Sequence, residues 1–199
     1  MKTILNKNKG IIMELFYENK EKSFHLREIS RKLSLNPNTV FKALNDLEND
    51  DYVSHEKKGN QKRYSINKNS ITYAIFSLFD IKKYKTLPKS RKRAIKYFLD
   101  SLEQKPLITI LFGSTATGNF KENSDIDLFL ITNSEIKVNE AENYSESQTG
   151  IKINSFQLTF SEFQNQLKLR EDKTFSSAIK SGYPLTNYIT YYQEVLNGY

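Results

Sequence analysis

The sequence predicts a two-domain chain of mixed α+β and α/β class: a helical domain ending in a β-hairpin, a helical connector, and a small mixed sheet with flanking helices. Three observations predict this fold. Helical periodicity followed by two strand-like segments fills the first third of the chain. Two continuous apolar runs, 107–112 and 128–131, are typical of buried strands. A length of 199 residues allows about two domains. We expect these domains at 1–68 and 105–199, with the connector at 69–104.

Charge is divided unequally along the chain. Residues 1–106 carry 23 Lys and Arg against 12 Asp and Glu, whereas residues 107–199 carry 7 against 11. The basic half suits a polyanionic partner. The chain has no Cys and two His, which excludes disulfides, thiol nucleophiles and Cys-based zinc sites. No apolar segment approaches the ~20 residues of a membrane span, so we expect a cytoplasmic protein with no membrane partner.

The N-terminal domain is predicted to contain three short amphipathic helices, from the spacing of its apolar residues. These residues are Ile11, Ile12, Leu15 and Phe16, then Leu26, Ile29 and Leu33, then Val40, Phe41, Leu44 and Leu47. The third helix begins after Asn36, a favourable N-cap, with Pro37 in its first turn, so 33–36 is predicted to be a turn. Two strand-like segments, 52–56 and 62–66, follow, and a basic, glycine-containing tip joins them into a hairpin.

This order of helices and hairpin, over residues 5–68, resembles the winged helix-turn-helix domain. The resemblance implies binding of double-stranded DNA and transcription regulation, with the helix at 37–49 in the major groove. It implies DNA contacts from the third helix and from the hairpin, at Asn38, Thr39, Lys42, Lys57, Lys58, Lys62 and Arg63. The alternative is that the hairpin lysines form a solvated strand edge that discourages aggregation.

The connector is predicted to be helical from Ser70 to Gln104, with a break at Leu87-Pro88. Two apolar faces follow from the spacing: Ile71, Ala74, Ile75, Leu78 and Phe79, then Ala94, Ile95, Phe98 and Leu102. The first face suits either packing within the chain or a homodimer that reads two DNA half-sites, and the sequence leaves both open. A basic run at 82–93, which includes Arg91, is expected to be a solvated helix face or an extension of the phosphate-binding surface.

The strongest chemical signal is a Gly113-Ser114 turn followed, after ten residues, by Asp125-Ile126-Asp127. The period of a strand directs Asp125 and Asp127 to one face, where two carboxylates need a positive charge between them. Oxygen ligands without Cys or His suit Mg²⁺ or Mn²⁺. Glycine lets backbone N–H groups approach phosphate oxygens, and the Ser114 hydroxyl can donate a further hydrogen bond. The pattern therefore indicates a site for a nucleoside triphosphate and its metal ion.

The same pattern, over residues 105–199, resembles the signature of the DNA polymerase β-like nucleotidyltransferase superfamily, most closely its minimal nucleotidyltransferase branch. The resemblance implies catalytic and metal-binding roles for Asp125 and Asp127 and nucleotide binding by Gly113 and Ser114. It also implies Mg²⁺ or Mn²⁺ as cofactor and an NTP as substrate, with ATP as the default donor. The branch includes antitoxins that modify a partner ribonuclease toxin, so a toxin-like protein is one candidate acceptor.

One position departs from that signature. Members of the superfamily usually carry a third acidic residue on a later strand, but the candidate strand at 150–160 contains no carboxylate, and Asn154 lies where the acid is expected. An amide can ligate a metal through its oxygen but cannot act as a base. Glu162 is the nearest downstream acid, and we interpret it as an ordinary residue of a helix N-terminus.

Two functions remain open from the sequence. The first is a DNA-tethered nucleotidyltransferase that transfers a nucleoside monophosphate from an NTP to an unknown hydroxyl group. The second is a DNA-binding transcriptional regulator whose nucleotidyltransferase domain senses a nucleotide or has lost its chemistry. The Gly-Ser and Asp-x-Asp set favours the first function, and Asn154 favours the second. Besides these two functions, an interaction scaffold that binds neither nucleotide nor DNA is a third interpretation.

Overall fold

The computed structural model of the protein describes residues 5–169 and 171–197. It divides into two compact units, Met1–Phe76 and Ser77–Tyr199. The division falls within one helix of the connector, Ser70–Thr86.

The first unit contains a three-stranded antiparallel sheet and three complete helices. Its elements are α1 Lys7–Glu18, β1 Phe24–His25, α2 Leu26–Leu33, α3 Pro37–Asn49, β2 Val53–Lys58 and β3 Gln61–Ile66, and α4 Ser70–Thr86 begins in it. The strand order is β1-β3-β2. Helix, strand, helix, helix and hairpin is the order of a winged helix-turn-helix, as the sequence predicts.

Local side chains determine where the second and third helices end and begin. Ser34 follows α2 in the left-handed region, with φ of 52°. The side chain of Asn36 then accepts a hydrogen bond from the Asn38 N–H, and Pro37 occupies the first helical turn. The predicted turn and the predicted bounds of α3 are therefore confirmed.

The core of the first unit differs from the predicted apolar stripe at one position. Val40, Leu44 and Leu47 are fully buried, but 49% of Phe41 is exposed. Ala43 is buried in its place, because the core side of α3 is formed by 40, 43, 44 and 47 at helical spacing. The prediction of a core role for Phe41 is wrong.

The hairpin is a longer ladder than the sequence predicts. β2 and β3 pair from Val53 opposite Ile66 to Lys58 opposite Gln61, which leaves only Gly59 and Asn60 between the strands. Gly59 has φ of 62°, a conformation that glycine adopts without strain. The hairpin lysines therefore lie on paired strands rather than in a loop.

The second unit contains a four-stranded sheet with helices on both faces. Its elements after α4 are α5 Lys89–Ser101, β4 Ile108–Phe112, α6 Gly113–Thr117, β5 Ile126–Thr132, α7 Asn139–Thr149, β6 Ile153–Thr159, α8 Phe160–Leu169, α9 Lys173–Ser181, β7 Tyr183–Pro184 and α10 Tyr188–Asn197. The strand order is β6-β5-β4-β7. β5 and β6 are parallel and the other pairs antiparallel, which confirms the predicted mixed sheet.

Alternate residues of β5 face two different cores. Leu128 and Leu130 pack with the buried face of α5, including Ala94 and Phe98. Phe129 faces the other way, and its ring contacts Phe175 of α9 at a centroid distance of 5.7 Å. Because Asp127 shares the face of Phe129, the polar end of β5 lies on the α9 side of the sheet.

The connector forms two helices, as predicted, but its first predicted apolar face is only partly buried, with Ile75 buried and Phe79 half-buried. Ile71 and Leu78 are 48% and 42% exposed, whereas Tyr73 and Phe76 are buried. The stripe predicted from aliphatic residues is therefore mostly solvent-facing, because aromatic residues on the opposite side of α4 supply the contacts. The second predicted face, which includes Ala94 and Phe98, is buried as expected.

Candidate functional site

The turn after β4 requires glycine for two independent reasons. Gly113 has φ of 69°, in the left-handed region that L side chains rarely adopt. A Cβ at this position would also lie 2.2 Å from Asp127 Oδ2. Pairing of Phe112 with Asp127 in the β4–β5 ladder produces this contact. Glycine thus lets the turn backbone and the carboxylate occupy adjoining positions.

Asp127 and Asn154 are neighbours across the parallel β5–β6 pair. The Asn154 Nδ2 group donates to Asp125 Oδ2 at 3.1 Å and to Asp127 Oδ1 at 3.3 Å. All three side chains are half-buried. The structure therefore brings together both predicted carboxylates and the residue predicted in place of a third acid.

The donor set suits a hard divalent cation. Asp125 and Asp127 offer carboxylate oxygens, and turning the Asn154 amide would offer its carbonyl oxygen to the same point. Within the described residues, no group of three or more His, Cys, Asp or Glu side chains has the arrangement of a metal site. The space that a Cβ at Gly113 would fill lies directly against the Asp127 carboxylate. On donor chemistry and shape, the residues fit Mg²⁺ or Mn²⁺ held by two carboxylates and one amide.

Ser114 lies in the short helix α6, immediately after the glycine turn, and is half-buried. The Ser114 carbonyl accepts a hydrogen bond from the Asn119 N–H at 3.0 Å. Gly118, at the C-cap of α6, has φ of 77°, and a Cβ there would meet nothing within 4 Å. The turn at 113–114 is therefore part of a compact hydrogen-bonded segment on the way to Asp125.

Arg91 belongs to this region, although the sequence places it in a solvated basic run. The residue is only 2% exposed, so that expectation is wrong for Arg91. Its spacing from Ala94, Ile95 and Phe98 places it on the buried stripe of α5. This helical spacing is the sequence feature that indicates burial of Arg91, but the neighbouring Lys and Arg residues make a solvated face the simpler prediction.

Glu162 has the structural role expected of it. Its Oε2 accepts from the Thr159 N–H at 2.8 Å and from the Thr159 hydroxyl at 2.7 Å, while the Glu162 N–H donates to the Thr159 hydroxyl at 3.3 Å. These bonds form a reciprocal capping box at the start of α8, and the backbone hydrogen bond lowers the pKa of Glu162 below its usual value. The interpretation of Glu162 as a helix-terminal residue is confirmed.

Most of the residues expected to contact DNA are accessible. On α3, Asn38 and Lys42 are exposed and Thr39 is half-buried. On the hairpin, Lys57, Lys58 and Lys62 are exposed.

Arg63 differs from the other candidate DNA contacts because its guanidinium is already engaged. It donates to the Ser23 hydroxyl at 3.0 Å and to the Ser23 carbonyl, and lies 3.9 Å from Glu28. These contacts attach the middle of β3 to the segment that precedes β1.

No helix in the described part of the chain is long and apolar enough to cross a membrane.

Comparison with protein families identifies the fold of the second unit. Residues 92–179 match the family described as "Polymerase beta, Nucleotidyltransferase". This part of the chain carries a nucleotidyltransferase domain. The matched residues include Gly113, the two carboxylates Asp125 and Asp127, and Asn154. No curated protein sequence matches the chain significantly.

Solved structures that resemble the chain include three from Staphylococcus aureus, two of MepR and one of MarR. A point mutant of MepR bound to an oligodeoxyribonucleotide is 17% identical, with a TM-score of 0.36 over 46% of this chain and 72% of that chain. MepR, a regulator of the multidrug efflux pump MepA, is 14% identical, with a TM-score of 0.35 over 47% and 73%. MarR in complex with salicylate and kanamycin is 17% identical, with a TM-score of 0.34 over 46% and 67%. TM-scores this low carry no argument about the function of the chain.

Replacement of Gly113 by alanine is expected to abolish Mn²⁺ binding, because the added methyl group displaces the Asp127 carboxylate. Gly118→Ala is the matched control: it has the same backbone strain, about 1–2 kcal/mol, but no neighbour within 4 Å. Mn²⁺ titration followed by electron paramagnetic resonance, together with urea unfolding, separates the two effects. Equal Mn²⁺ affinity in the two variants would contradict the assignment of the Gly113–Asp127 contact to the metal site.

Proposed function

We propose that the protein is a DNA-tethered nucleotidyltransferase that transfers a nucleoside monophosphate from an NTP, by default ATP, to a hydroxyl group of an acceptor. The observation that carries the proposal is the convergence of Gly113, Asp125 and Asp127 at adjoining strand ends. A purely structural turn has no need of two carboxylates directed at one point, since their repulsion costs stability unless a cation lies between them.

Each residue of the candidate site has a distinct role in this proposal. A bound Mg²⁺ or Mn²⁺ would neutralise phosphate charge and orient the triphosphate. Asp125 and Asp127 hold the cation, and the Asn154 amide, which donates to both carboxylates in this structure, would turn to offer its carbonyl oxygen as a third ligand. The Gly113 turn admits phosphate oxygens close to the backbone, and the Ser114 hydroxyl donates to them.

From the strand order we infer the side from which each reactant approaches. The phosphate-binding turn follows β4, the carboxylates lie on and before β5, and Asn154 lies on the edge strand β6. In-line displacement places the acceptor opposite the leaving pyrophosphate, and therefore on the β6 side. The acceptor oxygen bonds to the α-phosphorus as the bond to the bridging oxygen breaks. The acceptor proton passes to solvent, because the Asn154 amide is not a base.

The proposed DNA tether is the winged helix. Lys57 and Lys62 lie directly opposite each other in the hairpin ladder, and like charges in this arrangement are destabilising. DNA phosphates would relieve that repulsion. Asn38, Thr39 and Lys42 would contact the major groove, Lys58 would extend the phosphate contacts, and Arg63 would hold the hairpin in position through Ser23.

A transcriptional regulator that senses a nucleotide is the second candidate function. The observation that favours it is the pair of hydrogen bonds from Asn154 to Asp125 and Asp127, because these bonds stabilise the carboxylates without a cation, and among the described residues no third carboxylate joins them. Two further proposals are compatible with either function. One is a toxin-like protein as acceptor, and the other is a homodimer formed through the exposed side of α4.

The transfer reaction is tested by incubating the protein with α-labelled NTPs, Mg²⁺ or Mn²⁺ and cell extract. We expect label on a macromolecule with the wild-type protein and at least a hundredfold less with Asp127→Asn, because one of the two carboxylates becomes neutral. Retained NTP binding without any transfer by the wild-type protein would favour the nucleotide-sensing regulator. Retained DNA binding by Asp127→Asn is the control for folding.

Restoring a third carboxylate with Asn154→Asp is expected to raise Mn²⁺ affinity about tenfold, because a charged ligand replaces an amide. Three carboxylates repel one another without a cation, so this variant should unfold at a lower temperature than the wild type in the presence of a chelator. Added Mn²⁺ should raise its melting temperature more than it raises that of the wild type. Asn154→Ser removes the amide without adding charge and serves as the control. Weaker Mn²⁺ binding by Asn154→Asp would exclude Asn154 from the position of the third ligand.

The DNA tether is tested with the double variant Lys57→Ala, Lys62→Ala. Loss of two phosphate contacts should weaken binding to duplexes of any sequence and reduce the slope of log affinity against log salt by about 2. Lys168→Ala, Lys180→Ala removes the same charge from exposed positions of the second unit and should leave the slope unchanged. Fluorescence anisotropy at several salt concentrations measures both slopes, and equal slopes for the two double variants would remove the hairpin from the proposed DNA interface.

A further inference from the structure

Arg91 is a buried cation whose guanidinium donates hydrogen bonds to four neutral oxygens. Its Nη1 donates to the Thr115 hydroxyl at 2.8 Å and to the Asp125 carbonyl at 3.4 Å. Its Nη2 donates to the Lys121 carbonyl at 3.0 Å and to the Ser124 carbonyl at 2.8 Å. A guanidinium with five fixed N–H donors can serve this many acceptors at once, whereas an ammonium at the end of a flexible chain cannot reproduce the geometry.

These acceptors belong to the two halves of the candidate site. Thr115 follows the Gly113-Ser114 turn directly, and Lys121, Ser124 and Asp125 form the end of the segment that leads to the carboxylates. The Thr115 hydroxyl also lies 3.4 Å from the Asp125 carbonyl, within hydrogen-bond distance. One side chain of α5 therefore fixes the distance between the phosphate turn and the first carboxylate.

An aromatic ring completes the surroundings of the guanidinium. The Arg91 Cζ lies 4.2 Å from the centroid of the Phe120 ring, within the range of a cation–π contact. Burial lowers the pKa of Arg91, and the nearby Asp125 charge partly opposes that effect. The positive charge therefore remains in the protein beside Asp125, where it reduces the repulsion between the two carboxylates.

We propose that Arg91 is the positioning residue of the cation site: it holds the 115–125 segment so that Asp125 and Asp127 converge before any ligand binds. This inference rests on the proposed function, since it assigns Arg91 to the same site. Arg91 lies one residue before the region that matches the nucleotidyltransferase family. Residues that orient metal ligands in this way commonly contribute 10–100-fold to metal affinity.

The test measures Mn²⁺ affinity of the full chain by electron paramagnetic resonance, well below the melting temperature of each variant. Arg91→Met removes both the guanidinium N–H donors and the positive charge, and should weaken Mn²⁺ binding at least about tenfold. Arg91→Lys keeps the charge alone and should recover part of the affinity. Thr115→Val removes the hydroxyl at nearly constant volume and should weaken binding about threefold, with a well-folded protein, because the hydrogen bond from Arg91 and the longer one to the Asp125 carbonyl are lost.

Arg93→Met is the matched control, because Arg93 lies on the same helix but is exposed. It should bind Mn²⁺ as the wild type does. Hydrogen exchange provides a second measurement: amides of 119–126 should exchange faster in Arg91→Met than in Arg93→Met.

The outcomes separate the inference from the function on which it rests. Asp127-dependent Mn²⁺ binding by the wild type, with weakening in the order Thr115→Val, Arg91→Lys, Arg91→Met, supports the proposal. Unchanged Mn²⁺ affinity in folded Arg91→Lys and Thr115→Val overturns it while leaving the proposed function standing. A wild-type protein that binds no Mn²⁺ through Asp127 overturns both.

Discussion

The candidate site depends on the register of three adjacent strands. Phe112 pairs with Asp127, and Asp127 pairs with Asn154, so the chain leaves β4 next to a carboxylate that lies next to an amide. Because side chains alternate along a strand, a slip of one residue in the β5–β6 pair would place Ser155 rather than Asn154 beside Asp127. The buried leucines of β5 oppose such a slip, since it would also bring them out of the core.

This dependence explains which parts of the site the sequence predicts. The spacing of Gly113, Asp125 and Asp127 is visible in one stretch of chain, and the period of a strand is enough to place the carboxylates together. The position of Asn154 is expected from the family resemblance alone, because it depends on the parallel pairing of two strands with α7 between them. Pairing partners are set by the packing of the whole domain, and no local pattern encodes them.

The fold shows the same division between local and tertiary causes. The bounds of α3 follow from Asn36 and Pro37, whose effects are confined to one helical turn. Phe41 and Ile71 are apolar residues that nevertheless face solvent, because the number of apolar residues on α3 and α4 exceeds what one buried face can hold. Arg91 shows the converse, since a charged residue is buried where enough acceptors surround it.

The contact between Gly113 and Asp127 has a consequence for how this chain can vary. A side chain at 113 fits only if the Asp127 carboxylate is displaced or the side chain at 127 becomes shorter, and either change removes a carboxylate from the site. The effects of substitutions at the two positions on the free energy of unfolding are therefore not additive, as expected for residues in direct contact. A variant that has already lost Asp127 tolerates a larger residue at 113 better than the wild type does. Loss of the carboxylate thus releases the steric restriction on the glycine, although the left-handed backbone still disfavours a replacement.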